Sequence, residues 1–182
     1  MIYIVIALKS EAQAFVDKYK LTKTKLGKYT LYSDKTKKII LSGIGVINAR
    51  EATQALINLY DITDEDMYIN IGICGAKKQY SIGSLLEIGE VIYDGVSHSF
   101  KEGKKSIVCV HEAITQVKYD VVDMESYGFL DAVTHSPAIK YVYILKVVSD
   151  HFEPQNVTKE LTKSLIFKVI NDINLLVHKK EG

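Results

Sequence analysis

Apolar residues fall along this chain in short continuous blocks and in longer stretches that repeat every three to four positions. The two patterns predict strands and helices respectively. Residues 2–8 form a continuous block, as expected of a strand covered on both faces. Residues 10–19 place Ala12, Phe15 and Val16 on one side and predict a helix. Strands are predicted around 29–32 and 38–41, with a polar turn at 33–37 between them. Ser42-Gly43-Ile44-Gly45 leads into a helix over about 46–60, whose Ala49, Ala52, Leu56 and Leu59 make an inward stripe. Further strands are predicted at 67–71, opening into a glycine loop at 72–75, and at 85–93, 106–110 and 118–122. Residues 123–134 read as a helix and 141–148 as a strand rich in β-branched and aromatic residues. A last helix is predicted from about 158 to 179, and the polar stretch 97–105 is the expected flexible loop.

Strands alternating with helices predict an α/β fold, with a mixed, mostly parallel central sheet between helices on both faces in three layers. A chain of 182 residues has room for one sizeable core, so residues 1–182 are expected to form a single domain. The 47% apolar and 25% charged composition is that of a globular protein. Charge is balanced at 23 basic against 22 acidic residues, so neither a nucleic acid nor an anionic membrane is an expected partner. No basic region precedes the first apolar block, no cleavage site follows it, and no apolar run approaches the roughly 20 residues of a spanning helix. A cytoplasmic location is expected. Cys74 and Cys109 read as reduced core thiols. The five histidines show no ligand spacing and there is no Cys-x-x-Cys, so no metal site and no cofactor are expected.

In open α/β sheets, ligands sit outside the carboxyl ends of parallel strands. Those ends carry Lys9-Ser10-Glu11, Asn70 with the glycine loop, Asp123-Met124-Glu125 and Ser149-Asp150. Three acidic sites are therefore expected at one edge of the sheet. Taken singly, each acid could instead be a helix cap or first-turn residue favoured by the helix dipole. Lys146 lies inside an apolar strand, where an unpaired ammonium carries a large desolvation cost. It is either an edge lysine reaching water or a pocket lysine paired with a carboxylate, for which Glu11 is the expected partner.

The ordered fragments Ser42-Gly-Ile-Gly, Asn70-Ile-Gly-Ile-Cys-Gly-Ala, Gly89-Glu-Val, Val122-Asp-Met-Glu-Ser and Val148-Ser-Asp resemble the nucleoside phosphorylase and nucleosidase superfamily. Within it, the pattern is most similar to the methylthioadenosine/S-adenosylhomocysteine nucleosidases. The resemblance implies a homodimer acting on a small-molecule purine nucleoside. It implies that Asp150, after Ser149, protonates or hydrogen-bonds the departing base at N7, and that Glu11 orients and deprotonates the attacking water. It also implies that Glu125 holds the ribose hydroxyls, Met124 packs on the sugar, and Ile44, Cys74 and Gly75 line sugar and base. Lys146 stands where these nucleosidases usually have arginine. Cleaving an N-glycosidic bond builds cationic character on the sugar and negative charge on the base. Carboxylates near the sugar and a proton donor at the base suit that chemistry.

Phosphorolysis would need a phosphate held beside the ribose, usually by arginines. Arg50 is the only arginine of the chain, one turn into a predicted helix, and Glu11 would repel a phosphate. The expected activity is hydrolysis of a 5′-modified adenosine such as methylthioadenosine or S-adenosylhomocysteine. A nucleoside phosphorylase and a catalytically silent nucleoside-binding protein are the alternatives. Two features set the chain apart from the nucleosidases: a shorter stretch between Gly89-Glu-Val and Val122-Asp-Met-Glu, and Ile73 where they tend to have a small polar residue.

Overall fold

The computed structural model describes residues 1–178. Ten strands and four α-helices follow in the order β1 (Ile2–Ile6), α1 (Lys9–Tyr19), β2 (Thr22–Leu26), β3 (Tyr29–Ser33), β4 (Lys37–Leu41), α2 (Val46–Leu59), β5 (Met67–Ala76), β6 (Leu85–Tyr93), β7 (Val96–Ser99), β8 (Lys105–Cys109), β9 (Val121–Asp123), α3 (Ser126–Thr134), β10 (Tyr141–Asp150) and α4 (Lys159–His178). The predicted end of the last helix, at 179, lies outside the described residues.

The strands join in one mixed sheet. β5 pairs in parallel with β1 and β10, and antiparallel with β9. β10 continues antiparallel to β6, β6 parallel to β8, and β8 parallel to β9. Strands β5, β10, β6, β8 and β9 therefore close a five-stranded ring, and full closure removes exposed strand edges. From β5 the sheet extends outward through β1, β4, β3 and β2. The fold is mixed α/β as expected, but the sheet is not mostly parallel. Every pairing that closes a hairpin, and both seams that close the barrel onto β5 and β10 from β9 and β6, run antiparallel.

Alternation along the strands sorts the core into two bodies. Tyr3 and Val5 of β1 join Ala52 and Leu56 of α2, Phe129 and Val133 of α3, and the barrel residues Cys74, Ile88, Ile107 and Ile144. Ile4 and Ile6 join Phe15 of α1 and the Leu165, Ile166, Val169 and Ile173 stripe of α4. The sheet therefore carries α2 and α3 on one side and α1 and α4 on the other.

Several elements depart from expectation. β2 (Thr22–Leu26) had no predicted counterpart; four of its five residues are exposed, so it lacks an apolar face to mark it. Residues 72–75 do not form a glycine loop. They are the end of β5, paired with β10 and β9. Part of the expected loop at 97–105 is β7, which folds back on β6. The strand expected at 118–122 is only Val121–Asp123, and the helix after it begins at Ser126.

Candidate active site

Where the ends of β1, β5, β9 and β10 meet, the surface opens into a cavity of about 870 Å³. That lies within the size range of small-molecule sites. Its walls include Glu11, Ile44, Cys74, Gly75, Met124, Glu125, Ser149 and Asp150, together with Asp123. β9 runs antiparallel to β5, so Glu125 does not reach this mouth from the carboxyl end of a strand parallel to β5. It arrives there because β9 is three residues long and pairs only with the tip of β5, Gly75 opposite Val122.

Glu11 is 2% exposed and both carboxylate oxygens are engaged. Oε2 accepts the Leu8 N–H at 2.8 Å and Oε1 accepts the Ile73 N–H at 2.9 Å. The first bond caps α1, whose N-cap position, Leu8, has no side-chain acceptor of its own. The second ties the helix to β5. Burial pushes the Glu11 carboxyl up to about 7, against the pull of those two amides.

Glu125 precedes α3, and its Oε1 accepts the Gly45 N–H at 3.0 Å. Gly45 stands at the start of α2 with φ +101°, a conformation few side chains tolerate, so glycine is what aims that amide at Glu125. Burial, and then the neighbouring Asp123 charge, raise the Glu125 carboxyl above the ordinary carboxylate range.

Asp150 is the last residue of β10. Its Oδ1 accepts the Glu153 N–H at 2.9 Å, and Ser149 Oγ donates to Oδ2 at 2.7 Å. The Cys74 carbonyl, 3.1 Å from the same hydroxyl, is the alternative acceptor. Gly75 leaves the space beside Asp150 open: a Cβ there would meet Asp150 Oδ1 at 3.5 Å and Val122 Cγ2 at 3.3 Å. Cys74 is buried and its thiol is pushed up by burial, so it offers a neutral wall. Ile44, half exposed, stands at the rim.

Lys146 does not pair with Glu11. Its Nζ lies 2.7 Å from Asp123 Oδ2, both side chains buried, and it sits beneath the cavity rather than on its wall. The reason is the ring closure, which brings β9 across from β10 inside the barrel. Burial alone would lower the Lys146 ammonium's proton affinity, but Asp123 and then Glu125 raise it above its ordinary value. Asp123 in turn accepts the Ser126 N–H at 2.9 Å and the Ser126 hydroxyl at 2.6 Å, capping α3. For Asp123 the helix-cap reading of a strand-end acid therefore holds, joined to an ion pair.

Sequence reasoning gave Asp123 no role of its own, although it stood in the motif that carried Glu125. It also missed two wall segments: Val110, Ala113 and Ile114 on one side, and Pro154, Val157 and Thr158 on the other. The only signal for the first was an apolar pair in a polar connection. Arg50 is elsewhere: its Nε binds Asp131 Oδ2 at 2.6 Å, and the guanidinium lies over the Tyr127 ring. Among the described residues no group of three or more His, Cys, Asp or Glu is arranged to hold a metal ion. No helix among them is long and apolar enough to cross a membrane.

No family model and no curated protein matches the chain. Solved structures do. The apo 5′-methylthioadenosine nucleosidase of Arabidopsis thaliana superposes with a TM-score of 0.74 at 22% identity, covering 95% of each chain. The 5′-methylthioadenosine/S-adenosylhomocysteine nucleosidase of Campylobacter jejuni gives 0.75 at 17% identity over 98% of each chain. Futalosine hydrolase of Helicobacter pylori gives 0.73 at 12% identity, covering 94% of this chain and 97% of that one. The chain has the fold that these two nucleosidases and the futalosine hydrolase share, over nearly its full length.

Proposed function

We propose that the protein is an N-glycosidase that hydrolyses a purine nucleoside, a 5′-modified adenosine such as methylthioadenosine or S-adenosylhomocysteine. One observation carries the reading: Glu11, Glu125 and Asp150 line a single cavity of nucleoside size at the mouth of a fold shared with nucleosidases. Each carboxylate then takes one part of the reaction. Glu11, ionised, removes a proton from water as its oxygen bonds to the anomeric carbon. The electrons of the C–N bond leave with the base, and Asp150 supplies a proton to that base at N7. Glu125 accepts from the ribose hydroxyls and faces the positive charge that develops on the sugar. Met124 packs on the sugar, while Ile44, Cys74, Gly75 and Ser149 line the remainder.

Water is the nucleophile in this scheme because the chain's single arginine is tied to Asp131, away from the cavity wall. Release of adenine from methylthioadenosine, followed with and without phosphate, tests the proposal. Equal release in phosphate-free buffer is expected. Release only with phosphate would make the protein a phosphorylase, and binding without release a silent module. The same reading extends to a single-domain, cytoplasmic homodimer, which sedimentation of the purified protein and its localisation in the cell would check.

A further inference from the structure

Gly72 and Lys146 are register partners on the neighbouring parallel strands β5 and β10, so their side-chain positions share one face. At 72 there is no side chain, and two functional groups fill the space. A Cβ there would lie 3.1 Å from Glu11 Oε1 and 3.4 Å from Lys146 Nζ. Gly72 is not among the glycines with positive φ, so its backbone does not require glycine. What a side chain there would meet is the carboxylate, tightly, and the ammonium, in contact. Lys146 is the one buried cation among the described residues.

We propose that Gly72 is a positioning residue: the missing side chain lets the Lys146 ammonium and the Glu11 carboxylate converge over β5, so that the cation held by Asp123 also steadies the base. The arrangement differs from a Glu11–Lys146 ion pair. Asp123 takes the short contact, and Lys146 acts on Glu11 through space across position 72. Other groups also act on the Glu11 carboxylate. The Leu8 and Ile73 amides hold its oxygens, Lys146 approaches from β10, and Glu125 adds an opposing negative charge from the start of α3. A methyl at 72 presses on Glu11 Oε1, which must give way by a few tenths of an ångström, and it touches Lys146 Nζ. Separation from the cation and extra desolvation both favour the protonated acid.

The kinetic part of this inference rests on the nucleosidase reading, while its structural part does not, so the test reads both. In protein carrying ¹³C-carboxyl glutamate, the Glu11 resonance is assigned by its loss in Glu11→Gln and titrated by NMR. Gly72→Ala is expected to raise the Glu11 midpoint by about one pH unit or more. The acid limb of kcat/KM should move by the same amount, with KM at high pH changed less than about threefold because no substrate contact is lost. The paired variant Lys146→Met with Asp123→Asn removes both charges and leaves no unpaired ion, and it should move the Glu11 midpoint in the same direction. An unshifted midpoint in Gly72→Ala overturns the proposal. Should Gly72→Ala fail to fold, an unshifted midpoint in the paired variant overturns it. A shifted midpoint in a protein that releases no base would keep the positioning role and remove the nucleosidase reading instead.

Discussion

In the proposed reaction, Glu11 would have two jobs that pull on one carboxylate. Its bonds to Leu8 and Ile73 are structural, whereas its proton affinity, near neutrality, is what a general base needs. The base works ionised, so kcat/KM should rise with pH and level off above about 7, the value to which burial pushes the group. A profile flat from pH 5.5 to 8.5 would contradict that assignment. Glu125→Gln separates the second acid from the first. It keeps one acceptor for the ribose but loses the charge opposite the developing cation, so KM should rise while kcat falls. Isothermal titration with a nucleoside analogue, set beside steady-state rates, distinguishes this from a loss of turnover alone. For Asp123, paired with Lys146 and bound to Ser126, replacement by alanine should cost about 3–5 kcal/mol of stability, because it strands a buried ammonium. Urea denaturation measures it, and a cost under about 1 kcal/mol would mean that Lys146 finds another partner.

The helices that aim these acids are set by their own close contacts. Gly128 of α3 lies against the start of α2: a Cβ there would fall 2.0 Å from the Val46 carbonyl oxygen, which is backbone and has nowhere to go. Gly128→Ala should therefore separate α2 from α3 and destabilise by at least the roughly 1–3 kcal/mol of an overpacked core. It should also loosen the Gly45–Glu125 bond that spans the two helix starts. An unchanged urea midpoint would refute this. How much of the elements was legible depended on burial. β1 and β10 are covered on both faces and announced themselves as apolar runs, and α2 and α4 carried clear stripes. β2 reads Thr-Lys-Thr-Lys-Leu and β7 reads Val-Ser-His-Ser; both lie at or off the outer run of the sheet, where little packing selects their residues. The Gly72–Gly75 stretch looked like a loop because glycine usually marks one, yet here it stays in the strand, with Glu11 close over position 72 and Val122 close over position 75. The acids at the strand ends could be read off directly. The Lys146–Asp123 pair could not, because it depends on β9 crossing back to close the barrel, a register that no local pattern records.

At the scale of the molecule, the fold brings buried acidic groups together around one cavity, and their burial makes stability depend on pH. Glu11 titrates near 7 in the folded chain against an ordinary value of 4.5. Between those values the folded state holds a proton that the unfolded chain has released. Its contribution is therefore full below about pH 4.5, is lost as pH rises through 7, and stays lost above. Glu125 is displaced in the same direction. The melting temperature should accordingly decline from pH 5 to pH 8, and less steeply in Glu11→Gln. A melting temperature that rises over this interval would show that the fold does not raise the proton affinity of these two acids. The central claim is that the cavity cleaves a nucleoside with Asp150 as the proton donor, and the most direct measurement is single-turnover release of adenine from methylthioadenosine in phosphate-free buffer. Wild-type protein should release the base, and Asp150→Asn, which keeps the side chain's size, should do so about 10²–10⁴-fold more slowly with nucleoside affinity largely unchanged. Release by Asp150→Asn at the wild-type rate would contradict the account.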